Sequence, residues 1–186
     1  MTLPVKGLVF VQDFIIRLKS SLPVALGSGL SARRYFWVGL FLSTALLVQQ
    51  SIGWRWTLLT GLQDDDTYKL ATGFGLLAFV LYQWRFSVKR AQGEQRKAAT
   101  MMGRHKLFGT LLPLFFFFHS QTLGYGYQEI FSLTLLLAFL TGLLNFQIVQ
   151  IHKPWYRPVW ISAHVGLSMM LLLLMVYHVY LDYAFK

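Results

Sequence analysis

Four of the five histidines in this chain form two pairs with one spacing. His105 and His119 bracket the apolar run "KLFGTLLPLFFFF", His164 and His178 bracket "VGLSMMLLLLMVY", and fourteen positions separate the members of each pair. In an α-helix fourteen residues advance about 1,400°, roughly 40° short of four full turns, and rise about 21 Å. Both imidazoles of a pair therefore lie on nearly one face, near opposite boundaries of a hydrocarbon layer about 30 Å thick. If the two helices run in the same direction, His105 faces His164 near one boundary and His119 faces His178 near the other. A flat macrocycle between two facing imidazoles fills that geometry. The expected cofactors are two b-type haems, each with two histidine ligands.

The other side chains narrow the chemistry. The chain has no cysteine, which excludes an iron–sulfur cluster, a thiolate zinc site and a covalently attached c-type haem. A metal held by side chains alone is disfavoured, because about 21 Å separates the members of each pair and no intramembrane carboxylate joins them. Gly109 lies one turn from His105 and Gly166 two residues from His164, so both are expected to leave room for a porphyrin. Phe116 and Met175, in line with the histidines, are expected to fill the path between the two haems. Arg104 and Arg157 are the candidates to pair with haem propionates, since a guanidinium binds a carboxylate bidentately. Lys106 and Lys153 are less directional alternatives. His152, in "IHKPWYRP", is a candidate for a propionate or a quinone.

These residues need membrane helices to position them, and the composition supports such helices. Of 186 residues, 55% are hydrophobic and only 13% charged, against about 25% charged in soluble domains. Spans of about twenty apolar residues are predicted near 35–54, 69–86, 106–127, 130–151 and 158–181. The second is the shortest, with Lys69 and Arg85 able to snorkel to the interfaces. The expected fold is an all-α integral membrane protein, a bundle of five transmembrane helices over residues 31–186. Residues 1–30 form a separate segment. Within it, Leu8, Val11, Ile15 and Leu18 recur at helical spacing, predicting an amphipathic helix on the cytoplasmic surface rather than a cleaved signal.

The net charge of +10 is a topology signal, not one for nucleic acid. Alternate connections divide fourteen Lys/Arg from three, and residues 85–106 alone hold seven against the single acid Glu94. By the positive-inside rule the N-terminus is cytoplasmic and the C-terminus outside, with a bacterial inner membrane as the expected location. The acidic run Asp64–Asp66 then lies on the outer side.

The segment "GRHKLFGTLLPLFFFFHS" and the paired histidines resemble the ferric-reductase-like transmembrane cytochrome b group. Cytochrome b561 proteins use comparable two-histidine stacks. The resemblance covers mainly residues 100–182. It implies electron transfer through the membrane between two haems, in the membrane cytochrome b of a reductase. No Gly-rich nucleotide fingerprint is present and no length remains for a flavin domain, so a soluble or membrane redox partner protein is expected to feed it. The chain is read as an electron-transfer component with no catalytic residue of its own. One alternative is a cytochrome b anchor that exchanges electrons with a quinone for a peripheral oxidoreductase. The other is a haem-free scaffold subunit whose histidines serve packing.

Overall fold

The computed structural model describes residues 33–151 and 153–185. The N-terminal segment with its expected amphipathic helix, and His152, lie outside the described residues. The described residues form seven α-helices and no strand: α1 (Arg33–Ile52), α2 (Thr57–Asp64), α3 (Asp66–Ala91), α4 (Gln95–Thr110), α5 (Leu112–His119), α6 (Tyr127–Leu143) and α7 (Tyr156–Ala184).

Several boundaries differ from the expected spans, each for a local reason. The third, expected over 106–127, is instead the bent pair α4–α5, which begins at Gln95 and stops at His119. Pro113 has no N–H to continue the helical ladder, and the backbone tightens at Leu111, whose N–H donates to Phe108 O at 3.0 Å. The fourth, expected over 130–151, stops at Leu143. Asn145 Nδ2 donates to the carbonyls of Gly142 and Leu143 at 3.2 and 3.3 Å, and its Oδ1 accepts from Gln147 N–H at 2.9 Å. That side chain takes over the final carbonyls and turns the chain away. The second is longer than expected, because Asp65 caps α3 by accepting from Tyr68 N–H at 2.8 Å.

α3 and α4 form an antiparallel hairpin whose turn passes through Gly93 at φ 75°, a conformation that favours glycine. The next residue, Glu94, lies between Lys89 and Lys97, with Nζ–Oε2 distances of 3.3 and 3.0 Å. The hydrogen bond from Lys97, assisted by Lys89, holds its carboxyl below the ordinary value. α6 and α7 form a second hairpin. The core draws on both hairpins and α1: Leu46, Leu76, Val80, Leu112, Phe116, Phe139, Leu171 and Met175 share one buried cluster.

Unlike a soluble bundle, the outward faces are as apolar as the core. On α1 the buried face carries Gly39, Ser43, Leu46 and Gln49, while Phe41 is 71% and Ile52 70% exposed. A side chain at Gly39 would strike Leu143 of α6, so the glycine lets these helices approach closely. α7 buries Leu171 and Met175 and turns Leu173 and Val176 outward. Among the described residues, α1 and α7 are the two helices long and apolar enough to cross a membrane, with only 22% and 11% of their most apolar stretches buried. A core helix of a soluble protein would be mostly covered.

Candidate functional site

The structure brings His105 of α4 and His164 of α7 together. Their ring centres are 6.3 Å apart and their planes nearly perpendicular, at 87°. Two imidazoles on a common metal, at about 2.0–2.1 Å from each nitrogen, would have ring centres separated by roughly 6 Å. The rings sit in the wall of a cavity of about 650 Å³, bounded by α3, α4, α6 and α7.

Each ring is backed by aromatics that lead to an arginine. Phe86 stacks on His105 at 4.8 Å, and Arg90 lies 5.7 Å over Phe86. Trp160 stacks on His164 at 5.9 Å and meets Phe146 edge-on, and Arg157 lies 5.3 Å over Phe146. Trp160 is itself fixed by donating from Nε1 to Thr141 O at 2.7 Å. Arg90, Arg157 and Lys106 all line the cavity, and among the described residues no acid does. The result is an apolar chamber with three cations and two convergent imidazoles.

Histidine orientation comes from neighbouring helices. His164 Nδ1 lies 3.1 Å from Ala138 O and 3.1 Å from Thr141 Oγ1, both on α6. His119 Nδ1 lies 3.0 Å from Thr72 Oγ1 on α3, and His178 Nδ1 3.3 Å from Tyr127 Oη on α6. His105 differs: among the described residues its buried Nδ1 has no partner, and neither has Oε1 of Gln83, whose Nε2 donates to His105 O at 3.0 Å. His119 and His178 share no ring contact among the described residues. His178 packs instead on Phe131, 5.5 Å away.

The other candidates fall into two groups. Gly109, Lys106 and Arg157 line the cavity. Phe116 and Met175 are both buried in the central core. By contrast, Arg104 lies in a shallow groove with Phe79, Tyr82 and Phe108 and does not reach the cavity. Gly166 faces open space, with nothing within 4 Å of where a Cβ would stand. The glycines that do lie against histidines are Gly142, where a Cβ would stand 3.1 Å from His164 Cε1, and Gly73, where it would stand 3.3 Å from His119 Cε1. Sequence reasoning also passed over Arg90, Gln83, Thr72, Thr141 and Tyr127. Thr72-Gly73 and Thr141-Gly142 repeat one dipeptide, but Thr60-Gly61 repeats it too and meets no histidine, so the repeat alone does not mark them.

The residues suit a haem on the observations of the chamber itself. Two imidazoles converge from separate helices, cations without acidic partners line the walls, and a cradle beside His164 would be filled by a Cβ at Gly142. Among the described residues no three His, Cys, Asp or Glu gather as a side-chain-only metal site would need. No family model, no curated protein and no solved structure matches this chain.

Proposed function

We propose that this chain is a membrane cytochrome b that carries electrons between two haems, each held by two histidines, on behalf of a redox partner protein. The observation that carries the proposal is the 6.3 Å approach of His105 and His164 inside an apolar chamber with cationic walls. Bound haem supplies a one-electron iron couple; the protein supplies its placement and tuning. His105 and His164 would hold one haem, and His119 and His178 the other. Arg90, Arg157 and Lys106 would meet the carboxylates of the first. Phe116 and Met175 keep water out of the interval between the two levels. In this reading α1, α3, α4–α5, α6 and α7 cross the membrane, and the basic α3–α4 turn faces the cytoplasm. That turn offers Arg96 and Lys97 to an acidic donor surface. The proposal retains the resemblance to ferric-reductase-like and b561-type cytochromes.

The test is haem content with a set of ligand variants. Two haem b per chain and a low-spin spectrum are expected from a pyridine haemochrome assay. His105→Ala and His164→Ala should remove the same haem, and His119→Ala and His178→Ala the other. Well under one haem per chain in the wild type would overturn the proposal and favour a haem-free scaffold.

One observation favours a second reading, the quinone-linked anchor. Gln83 Oε1 is a buried acceptor with no donor in the chamber wall, the group a quinol hydroxyl would satisfy. The two separate by salt. Partner-fed reduction of the first haem should slow with added salt and with charge reversal at Arg96 and Lys97, whereas quinol-fed reduction should respond to neither.

A further inference from the structure

Two of the three Thr-Gly dipeptides, Thr72-Gly73 and Thr141-Gly142, hold histidines in nearly the same way, whereas Thr60-Gly61 meets none. Thr72 Oγ1 is 3.0 Å from His119 Nδ1, and a Cβ on Gly73 would stand 3.3 Å from the ring's Cε1 and 3.8 Å from its Nδ1. Thr141 Oγ1 is 3.1 Å from His164 Nδ1, and a Cβ on Gly142 would stand 3.1 Å from Cε1 and 3.7 Å from Nδ1. In each case a hydroxyl receives the ring nitrogen, and the bare backbone of the next residue lets the adjoining ring carbon lie close.

The hydroxyls also determine where the ring proton sits. Thr141 Oγ1 lies 2.8 Å from Ala138 O, and Thr72 Oγ1 lies 2.8 Å from Tyr68 O. A threonine has one hydroxyl hydrogen, and a backbone carbonyl can only accept. With that hydrogen committed to the carbonyl, the oxygen turns a lone pair toward the imidazole, so Nδ1 must donate. At His164 the argument is doubled, because Ala138 O itself lies 3.1 Å from Nδ1. Protonated Nδ1 leaves the lone pair on Nε2. Among the described residues Tyr127 has no such second acceptor and His105 Nδ1 has no partner, so neither His178 nor His105 is locked this way.

We infer that Thr72-Gly73 and Thr141-Gly142 are matched cradles that lock His119 and His164 as Nδ1–H tautomers, giving each haem one ligand of fixed tautomer and one whose tautomer is not fixed in this way. The redox consequence rests on the proposed cytochrome function; the tautomer does not. Thr72 and Thr141 are positioning residues. An Nδ1–H that donates to an acceptor makes Nε2 more basic, and a more basic axial nitrogen favours ferric over ferrous iron. Each cradle therefore lowers the midpoint potential of its own haem.

The test is a redox titration of the full chain in lipid nanodiscs. Thr72→Val should raise the midpoint of the haem that His119→Ala removes and leave the other unmoved, and Thr72→Ser should restore it. Thr141→Val should raise the midpoint of the haem that His164→Ala removes. That shift should be smaller, because Ala138 O still accepts. Retained haem with an unmoved midpoint, or failure of Thr72→Ser to restore it, would overturn the inference. Should the valine variants not fold, nitrogen-15 NMR of the wild-type histidines decides: Nδ1–H at His119 and His164 supports the cradles, and Nε2–H overturns them. That spectrum can be recorded without haem. A wild type that binds no haem but shows both Nδ1–H tautomers would refute the proposed function and leave the cradles standing.

Discussion

Arg90 and Arg104 show how much depends on where one side chain lies. Both belong to the basic stretch beside His105, yet Arg90 lines the cavity over Phe86 and Arg104 lies in a separate aromatic groove. A guanidinium near a haem stabilises its less positive, reduced state. At an effective dielectric of about 20, a unit charge roughly 10 Å away is worth on the order of 1–2 kcal/mol. Arg90→Gln and Arg157→Gln should therefore lower the midpoint of the haem held by His105 and His164 by that order. Arg104→Gln should leave it in place. A redox titration of the three variants checks this, and a shift confined to Arg104→Gln would return the propionate role to the residue first suggested by sequence.

At the scale of elements, α2 is held by a glutamine network beside its one buried apolar side chain, Leu59. Gln121, 3% exposed, accepts from Trp56 N–H at 2.7 Å through Oε1. Its Nε2 lies 3.1 Å from Thr60 Oγ1 and 3.2 Å from Gln63 Oε1. Gln49 and Gln50 donate from α1 to Gln121 O, and Gln63 donates to Phe117 O at 2.9 Å. The network ties α1, α2 and the end of α5 together two residues beyond His119. An unsatisfied buried polar group costs about 1–3 kcal/mol. Gln121→Leu should thus destabilise the protein by at least that much. A thermal melt in detergent should show a lower Tm, with the haem held by His119 and His178 lost first. An unchanged melt would mean the network is incidental.

At the scale of the whole molecule, the charge distribution and the outward apolar faces make one prediction about topology. The α3–α4 turn and the loop before α6 lie at opposite ends of the α3–α5 hairpin, so the proposed five-span arrangement would put them on opposite sides of the membrane. The chain has no cysteine, so single cysteines can be introduced without first removing others. In intact cells, an impermeant maleimide should label Tyr125→Cys, and Gln92→Cys only after permeabilisation. Tyr125 is 89% exposed, which makes the absence of labelling meaningful. Labelling of both from one side would rule out the five-span arrangement.

Apolar composition and the two fourteen-residue histidine intervals were legible without coordinates, because helical periodicity depends only on residue order. They were enough to expect an all-α chain and to single out His105, His119, His164 and His178. Helix ends were less legible: the expected spans ran through Leu111 and past Leu143, where Pro113 and the Asn145 side chain redirect the backbone. Tertiary structure alone decided which groups meet the imidazoles. Thr72 is forty-seven positions from His119, and Thr141 twenty-three from His164, and nothing in the order of residues ties them. Their meeting depends on the rotation of α3 and α6 about their own axes, which packing sets. The same rotation turned Arg90 into the cavity and Arg104 away from it, and left Gly142 rather than Gly166 against His164.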